Sequence, residues 1–207
     1  MTRRRRAAAN PAVKGYGLEL RPWDNELAAQ MARWGERGFP YHPFDMGYLR
    51  DPVRSAAEVL VHQYRSQHRH YVATEAGIAV GRVSVNLEDG EGLYFWAVHV
   101  PPEHEGRGVC RRMLAVLIEW LERAMPGRDF ALISNAFAEH AHRAYTALGF
   151  TVADTRWQYD REMAEGLVTA SETQVAALAG NIRFAGGRWE MRAHLFRRRP
   201  GAPMSVG

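Results

Sequence analysis

The sequence predicts a mixed α/β fold built on one central sheet, and three stretches carry that prediction. Residues 98–121 read as the end of a strand, a glycine turn and a helix; residues 69–100 read as three consecutive strands; residues 130–161 read as strand, helix, strand. At 207 residues one domain is the default, large enough for a sizeable core and a pocket. The expected division is a basic tail over 1–14, the domain over 15–196 with an insertion at 166–187, and a second tail over 197–207.

The elements follow in order. A first strand is expected over 16–21, then a helix over 25–34 with Asp24 as N-cap. Gly38-Phe39-Pro40-Tyr41-His42-Pro43 breaks the chain. A second helix is expected over 55–67, with Ala56, Val59, Leu60 and Tyr64 sharing a face. Strands over 69–74, 78–87 and 93–100, separated by Glu75-Ala76-Gly77 and by 88–92, form a hairpin meander. Val109, Met113, Val116, Leu117, Trp120 and Leu121 then recur at helical spacing until Pro126-Gly127 stops the helix. A strand over 130–134, a helix over 137–148 closed by Gly149-Phe150, and a strand over 155–161 come next. Residues 166–187 interrupt two strands that would otherwise be adjacent, with a short helix over 171–179, and a terminal strand runs over 187–196. No internal repeat is present.

Composition excludes several classes. One cysteine, Cys110, rules out an intramolecular disulfide framework, and a reducing cytoplasm is the expected compartment. No apolar run approaches membrane-spanning length, so no membrane partner is expected. The basic start Arg3-Arg4-Arg5-Arg6 has no leucine-rich core after it and does not make a secretory signal. Arg3 to Arg6 and Arg197 to Arg199 supply seven of the 27 basic residues, leaving 20 against 23 acidic ones. The excess therefore sits in the two tails, which are read as solvated; nucleic-acid binding through them ranks last among the functions considered.

The glycine turn holds the most chemistry. Gly106 and Gly108 can take backbone angles that a Cβ disfavours, so successive N–H groups can converge on a phosphate or pyrophosphate at the positive end of the following helix. Arg107, Arg111 and Arg112 put cations around the same place. A plain strand-to-helix turn has the same pattern. Familiar phosphate motifs do not fit: Arg111 stands where a dinucleotide fingerprint needs its third glycine, the only lysine is Lys14, which excludes a Walker A loop, and no Gly-x-Ser-x-Gly elbow occurs.

Glu105-Gly106-Arg107-Gly108-Val109-Cys110 resembles the acetyl-CoA signature of the GNAT superfamily of N-acetyltransferases, Arg/Gln-x-x-Gly-x-Gly/Ala, which follows a strand ending Val-x-Pro. Glu105 and Cys110 depart from that pattern and Gly108 keeps it. Downstream, Ala138 to Phe150 resembles the superfamily's Asn-x-x-Ala-x-x-x-Tyr-x-x-x-Gly-Phe: Ala141, Tyr145, Gly149 and Phe150 match, and Ala138 replaces the asparagine, with Asn135 one turn earlier. The two motifs cover roughly a third of the chain, and the order of strands and helices extends the likeness to most of it.

The resemblance implies a mixed, mostly antiparallel central sheet flanked by helices and splayed between its central strands. It implies acetyl-CoA as co-substrate and no metal, with Val98 and Val100 pairing with the pantetheine arm. Gly106, Arg107, Gly108, Val109, Cys110 and Arg111 would surround the diphosphate. It implies direct attack of a primary amine on the thioester, with Tyr145 protonating the departing thiolate; helical periodicity on its own places Tyr145 in the core. The acceptor would be a small-molecule or peptide amine. The alternative is a GNAT-like acyl-CoA-binding regulatory or interaction module with little or no turnover. A homodimer is compatible with either.

A general base is not evident. The strand holds no carboxylate where some members carry a glutamate, near Tyr94; His99 is the nearest titratable group, and a structural role for it or proton loss to water are the other readings. His68 with His70 and His140 with His142 lack a third ligand of metal-binding spacing. Trp23, Trp34, Tyr41, Phe44 and Tyr48 cluster in the early helical region, as core or as a wall of the acceptor site.

Overall fold

The computed structural model describes residues 11–35, 38–41, 46–64, 67–89 and 92–206. The N-terminal arginines, Phe44 and the side chain of Tyr48 lie outside them. Strands β1 (Val13–Gly15) and β2 (Leu18–Pro22) form a hairpin whose two-residue turn, Tyr16-Gly17, has both φ angles positive. The chain thus enters the sheet at Val13, inside the stretch expected as tail. Helix α1 (Asn25–Met31) follows, and Asp24 caps it by accepting from the Leu27 N–H at 2.8 Å. Helix α2 (Pro52–Tyr64) buries Val59, while Ala56 and Leu60, expected on the same covered face, are exposed. It lies against the 47–50 turn, α1 and β3, with Val59 as the buried apolar side chain among those described.

The meander is β3 (His68–Glu75), β4 (Ile78–Asp89) and β5 (Gly92–His99), antiparallel throughout, with Ala76-Gly77 repeating the two-residue turn. After it come α3 (Val109–Ala124), β6 (Phe130–Asn135), α4 (Glu139–Ala147), β7 (Thr151–Gln158), α5 (Arg161–Thr169), α6 (Glu172–Ala177), β8 (Ile182–Ala185) and β9 (Arg188–Arg198). The sheet order is β1-β2-β3-β4-β5-β6-β9-β7, with β8 on β9. Within this mixed, mostly antiparallel sheet β5 and β6 run parallel, as the α3 crossover between them requires.

Helix α3 carries the main core. Met113, Leu114, Leu117, Ile118 and Leu121 are fully covered and pack with Leu20, Tyr71, Phe95 and Phe130 of the sheet; Trp120 is partly covered. Each such side chain contributes about 1.5–3 kcal/mol. Leu117→Ala is therefore expected to lower the unfolding free energy by about 2–5 kcal/mol, measured by urea denaturation. A smaller core of Met163, Leu167, Leu178 and Met191 sits under α5 and α6, joined by Phe39 and Phe137.

Four regions differ from the sequence reading. Strand β7 starts at Thr151 rather than 155, because it is an edge strand exposed on both faces over 151–156 and so lacks an apolar alternation. Helix α5 was not expected; its Asp160 cap is plain, but Gly166 and the next helix made the segment read as interrupted. The insertion also holds a short strand, β8, that pairs with β9.

The fourth difference corrects the expected C-terminal tail. Strand β9 runs through Arg197 to Arg198, and Arg198 is 2% exposed. Its guanidinium donates to Leu148 O at 2.8 Å, Glu122 Oε1 at 2.6 Å and Ala202 O at 2.6 Å. Met204 and Val206 then pack on the main core. An arginine run reads as solvated in sequence, and only Glu122, brought across by α3, neutralises this one inside. Gly149 permits the approach: a Cβ there would sit 2.8 Å from Pro203 O, and its φ is +81°.

Candidate active site

Strands β5 and β6 pair over only three positions, Leu93 with Phe130, Tyr94 with Ala131 and Phe95 with Leu132, and then separate. A bulge in β5 accompanies the opening: between Ser84↔Trp96 and Arg82↔His99 two residues, Ala97 and Val98, face one on β4, and Ala97 has φ +48°. The gap is a cavity of about 600 Å³.

The predicted site residues meet there with one exception. Val98, Val100, Gly106, Gly108, Val109, Cys110, Arg111 and Tyr145 all line the cavity. Arg107 does not: its guanidinium turns back to Glu75 at the end of β3 and to His104 Nδ1 at 2.8 Å. Glu75 also binds Arg112 at 3.0 Å, and these charge-assisted hydrogen bonds hold the Glu75 carboxyl below the usual range. Two of the three loop arginines thus brace the glycine turn, leaving Arg111 of that trio at the cavity. Glu105 lines the cavity as well.

The turn is open. Gly106 and Gly108 have φ of +72° and +69°, and nothing lies within 4 Å of a Cβ built on Gly106. Gly108 is the N-cap of α3 and offers no side-chain acceptor, so the first N–H groups of the helix have no cap from it. Those donors, the helix dipole and Arg111 make an anion site whose space and polarity fit a diphosphate.

Tyr145 is 6% exposed, and its ring packs on Phe196 at 5.4 Å and Phe150 at 6.3 Å. The ring is core, as its periodicity implies, and the residue also reaches the cavity wall. Burial, aided by the neighbouring Cys110 thiol, pushes the phenol far above its ordinary value, and a hydrogen bond with Ser134 pulls weakly the other way. Burial also pushes the Cys110 thiol up to about 12. Burial at this point disfavours a bare thiolate and a phenolate alike.

His99 is buried, packs against Trp34 with the rings tilted at 33° and their centroids 5.4 Å apart, and reaches the cavity. His70 bonds to Ser84 Oγ at 2.8 Å, and His142 to Asn135 O at 3.1 Å; among the described residues no three His, Cys, Asp or Glu side chains are grouped to hold a metal ion. Of the aromatic cluster, Trp23 and Trp34 are core, and Tyr41 reaches the cavity. Sequence reasoning missed Arg143 and Asp160 on the cavity wall. Arg143 is an exposed helical arginine with no motif to mark it; Asp160 is legible as a helix cap, which hides its second position at the cavity. Among the described residues no helix is long and apolar enough to cross a membrane.

Comparison with known proteins fits this geometry. The family model described as "Acetyltransferase (GNAT) family" matches residues 29–150, more than half of the chain. A search of curated proteins finds no match. Similar solved structures include RimL, a ribosomal L7/L12 alpha-N-protein acetyltransferase in complex with coenzyme A, at 15% identity and a TM-score of 0.61, covering 93% of this chain and 100% of that one. A spermidine N-acetyltransferase chimera of Vibrio cholerae SpeG and hSSAT has 14% identity and a TM-score of 0.59, covering 89% and 96%. The ribosomal-protein-S5-alanine acetyltransferase from Vibrio fischeri has 14% identity and a TM-score of 0.57, covering 93% and 98%. With its splayed sheet, its open glycine turn and a family match across both motifs, this chain belongs to the acetyltransferase (GNAT) family.

Proposed function

We propose that this protein is an acetyl-CoA-dependent N-acetyltransferase that moves the acetyl group to a primary amine by direct attack. The observation that carries the reading is a single cavity joining the glycine turn, the split between β5 and β6, and Tyr145. The α3 N-terminus and Arg111 hold the diphosphate; the stretch past the last β5–β6 pair, at Val98 and at Val100 just after the strand, takes the pantetheine arm, setting the thioester in the split. Arg143, from the opposite wall on α4, adds a second cation to the same cavity and has no ion pair among the described residues.

The ammonium form of the acceptor first loses a proton to solvent, since no carboxylate stands on β5. The nitrogen then attacks the acetyl carbon, the N–C bond forms as the C–S bond breaks, and the Tyr145 phenol gives its proton to the sulfur. Solvent returns the proton to the phenolate and takes the remaining one from the new amide nitrogen. No covalent enzyme intermediate is needed.

Calorimetric titration with acetyl-CoA tests the reading, followed by thiol release in the presence of amines. Binding below millimolar concentration is expected; no binding at millimolar concentration would overturn it. Binding without thiol release across a broad amine panel would instead favour the regulatory module. Arg111→Ala should weaken acetyl-CoA binding about 10- to 100-fold, the equivalent of one charge-assisted hydrogen bond.

A further inference from the structure

We infer that the acceptor is a small, singly charged primary amine on an aromatic body, drawn in by Asp160; this rests on the acetyltransferase reading above. Besides the glycine turn, the cavity is lined by aromatic residues, Tyr94 and Trp96 of β5 together with Tyr41 and Phe137, and by the carboxylate-bearing Asp160.

The charges select the class. Among the described residues two carboxylates line the cavity, Glu105 and Asp160. Glu105 adjoins the glycine turn, at the anion end. Asp160 follows β7, separated from β5 by β6 and β9 in the sheet order, and so stands apart from the glycine turn that follows β5. A polyamine carries several cations spread along its length and needs several carboxylates; here it would meet one, with Arg143 and His140 on the same wall. A single ammonium is satisfied. The rings offer stacking and cation–π contact to a flat apolar body.

The surrounding packing favours a small molecule over a peptide. Tyr41 touches Phe137 at 5.7 Å and His140 at 5.6 Å between centroids, spanning the gap between the 38–41 segment and α4. Phe39 and Phe137 are anchored in turn on the core under α5 and α6. The 166–187 insertion, through Leu167 and Leu178 of that core, therefore backs the aromatic wall, while Asp160 at the start of α5 supplies the carboxylate just ahead of it, which gives this otherwise unexplained segment a role beside the site. A cavity of about 600 Å³ that also admits the thioester arm leaves room for about one ring system.

Asp160 can serve without harm to its structural duty. One oxygen caps α5 by accepting from the Met163 N–H at 3.0 Å, and the residue has no ion pair among the described residues. It draws the ammonium from solvent and goes on accepting a hydrogen bond after the surplus proton has left.

The test uses the full chain with acetyl-CoA and four acceptors: phenethylamine, propylamine, spermidine and a short peptide beginning with alanine, with thiol release as readout. Phenethylamine is expected to have a kcat/KM at least 10-fold above each of the others. Asp160→Asn should raise the KM for phenethylamine at least 10-fold while leaving the KM for acetyl-CoA unchanged, and asparagine, itself a good N-cap, keeps α5 intact. Preference for spermidine or the peptide, or an unaltered KM in the variant, would overturn the inference. So would acetyl-CoA binding without turnover of any of the four, which leaves the cofactor reading standing; absence of acetyl-CoA binding defeats both.

Discussion

Tyr145→Phe is expected to lower kcat by about 10²- to 10⁴-fold while leaving the dissociation constant for acetyl-CoA within a few-fold of the parent value. The ring of the variant still packs on Phe196 and Phe150, so the fold and the cavity keep their shape; what is lost is the proton that the proposed mechanism gives to the departing sulfur. In water a phenol is a poor acid toward a thiolate. Here burial acts on both partners, pushing the Cys110 thiol beside Tyr145 up to about 12 and the phenol up as well, so the gain from protonating a departing thiolate is offset by the cost of the phenolate left behind, and what Tyr145 adds is a proton held in place. Because the phenol is held far above its ordinary value, turnover should show no descending limb near pH 10 from loss of this acid. Unchanged kcat in the variant, with acetyl-CoA still bound, would reduce Tyr145 to packing.

Arg198→Ala is expected to destabilise the protein by about 3–5 kcal/mol, because it leaves Glu122 without its charge partner and removes donors from Leu148 O and Ala202 O in the interior. For a chain of this size each kcal/mol shifts the melting temperature by about 2–4 °C. The pH dependence gives a second readout. Burial alone pushes the Glu122 carboxyl up, but hydrogen bonds from Arg198 and the Gly201 N–H, with the guanidinium charge, bring it below its ordinary 4.5. A group lower in the folded state contributes stability that is fully present above 4.5 and is lost as pH falls through 4.5 to the folded value. Acid unfolding should therefore be less steep in Glu122→Gln. A melting temperature in Arg198→Ala within 2 °C of the parent would show that the pair contributes nothing net.

The two motifs were legible because each is local. The glycine turn needs φ angles that only glycine takes easily, and α4 needs Tyr145 and Gly149 at fixed distances along one helix, so neighbouring residues carry the whole signal. The failures are as specific. Arg107 and Arg111 look alike in sequence, yet Arg107 is directed to Glu75 on a strand far earlier in the chain. Leu60 has the right spacing to be buried, but the face of α2 that meets α1 and β3 covers Val59 and leaves Leu60 exposed. Arg198 sits in a run of charge and is core.

By itself the sequence determined the strand and helix order through the domain's middle, the glycine turn and the tyrosine that faces it, because periodicity and backbone conformation are decided within a few residues. Only the tertiary structure decided which arginine reaches the cavity, that Arg198 closes the core, and that Asp160 and Phe137, the latter backed in part by the insertion, come to the cavity wall. Those outcomes depend on partners brought together from distant parts of the chain, and the charge of a side chain does not say which partner the fold will bring to it.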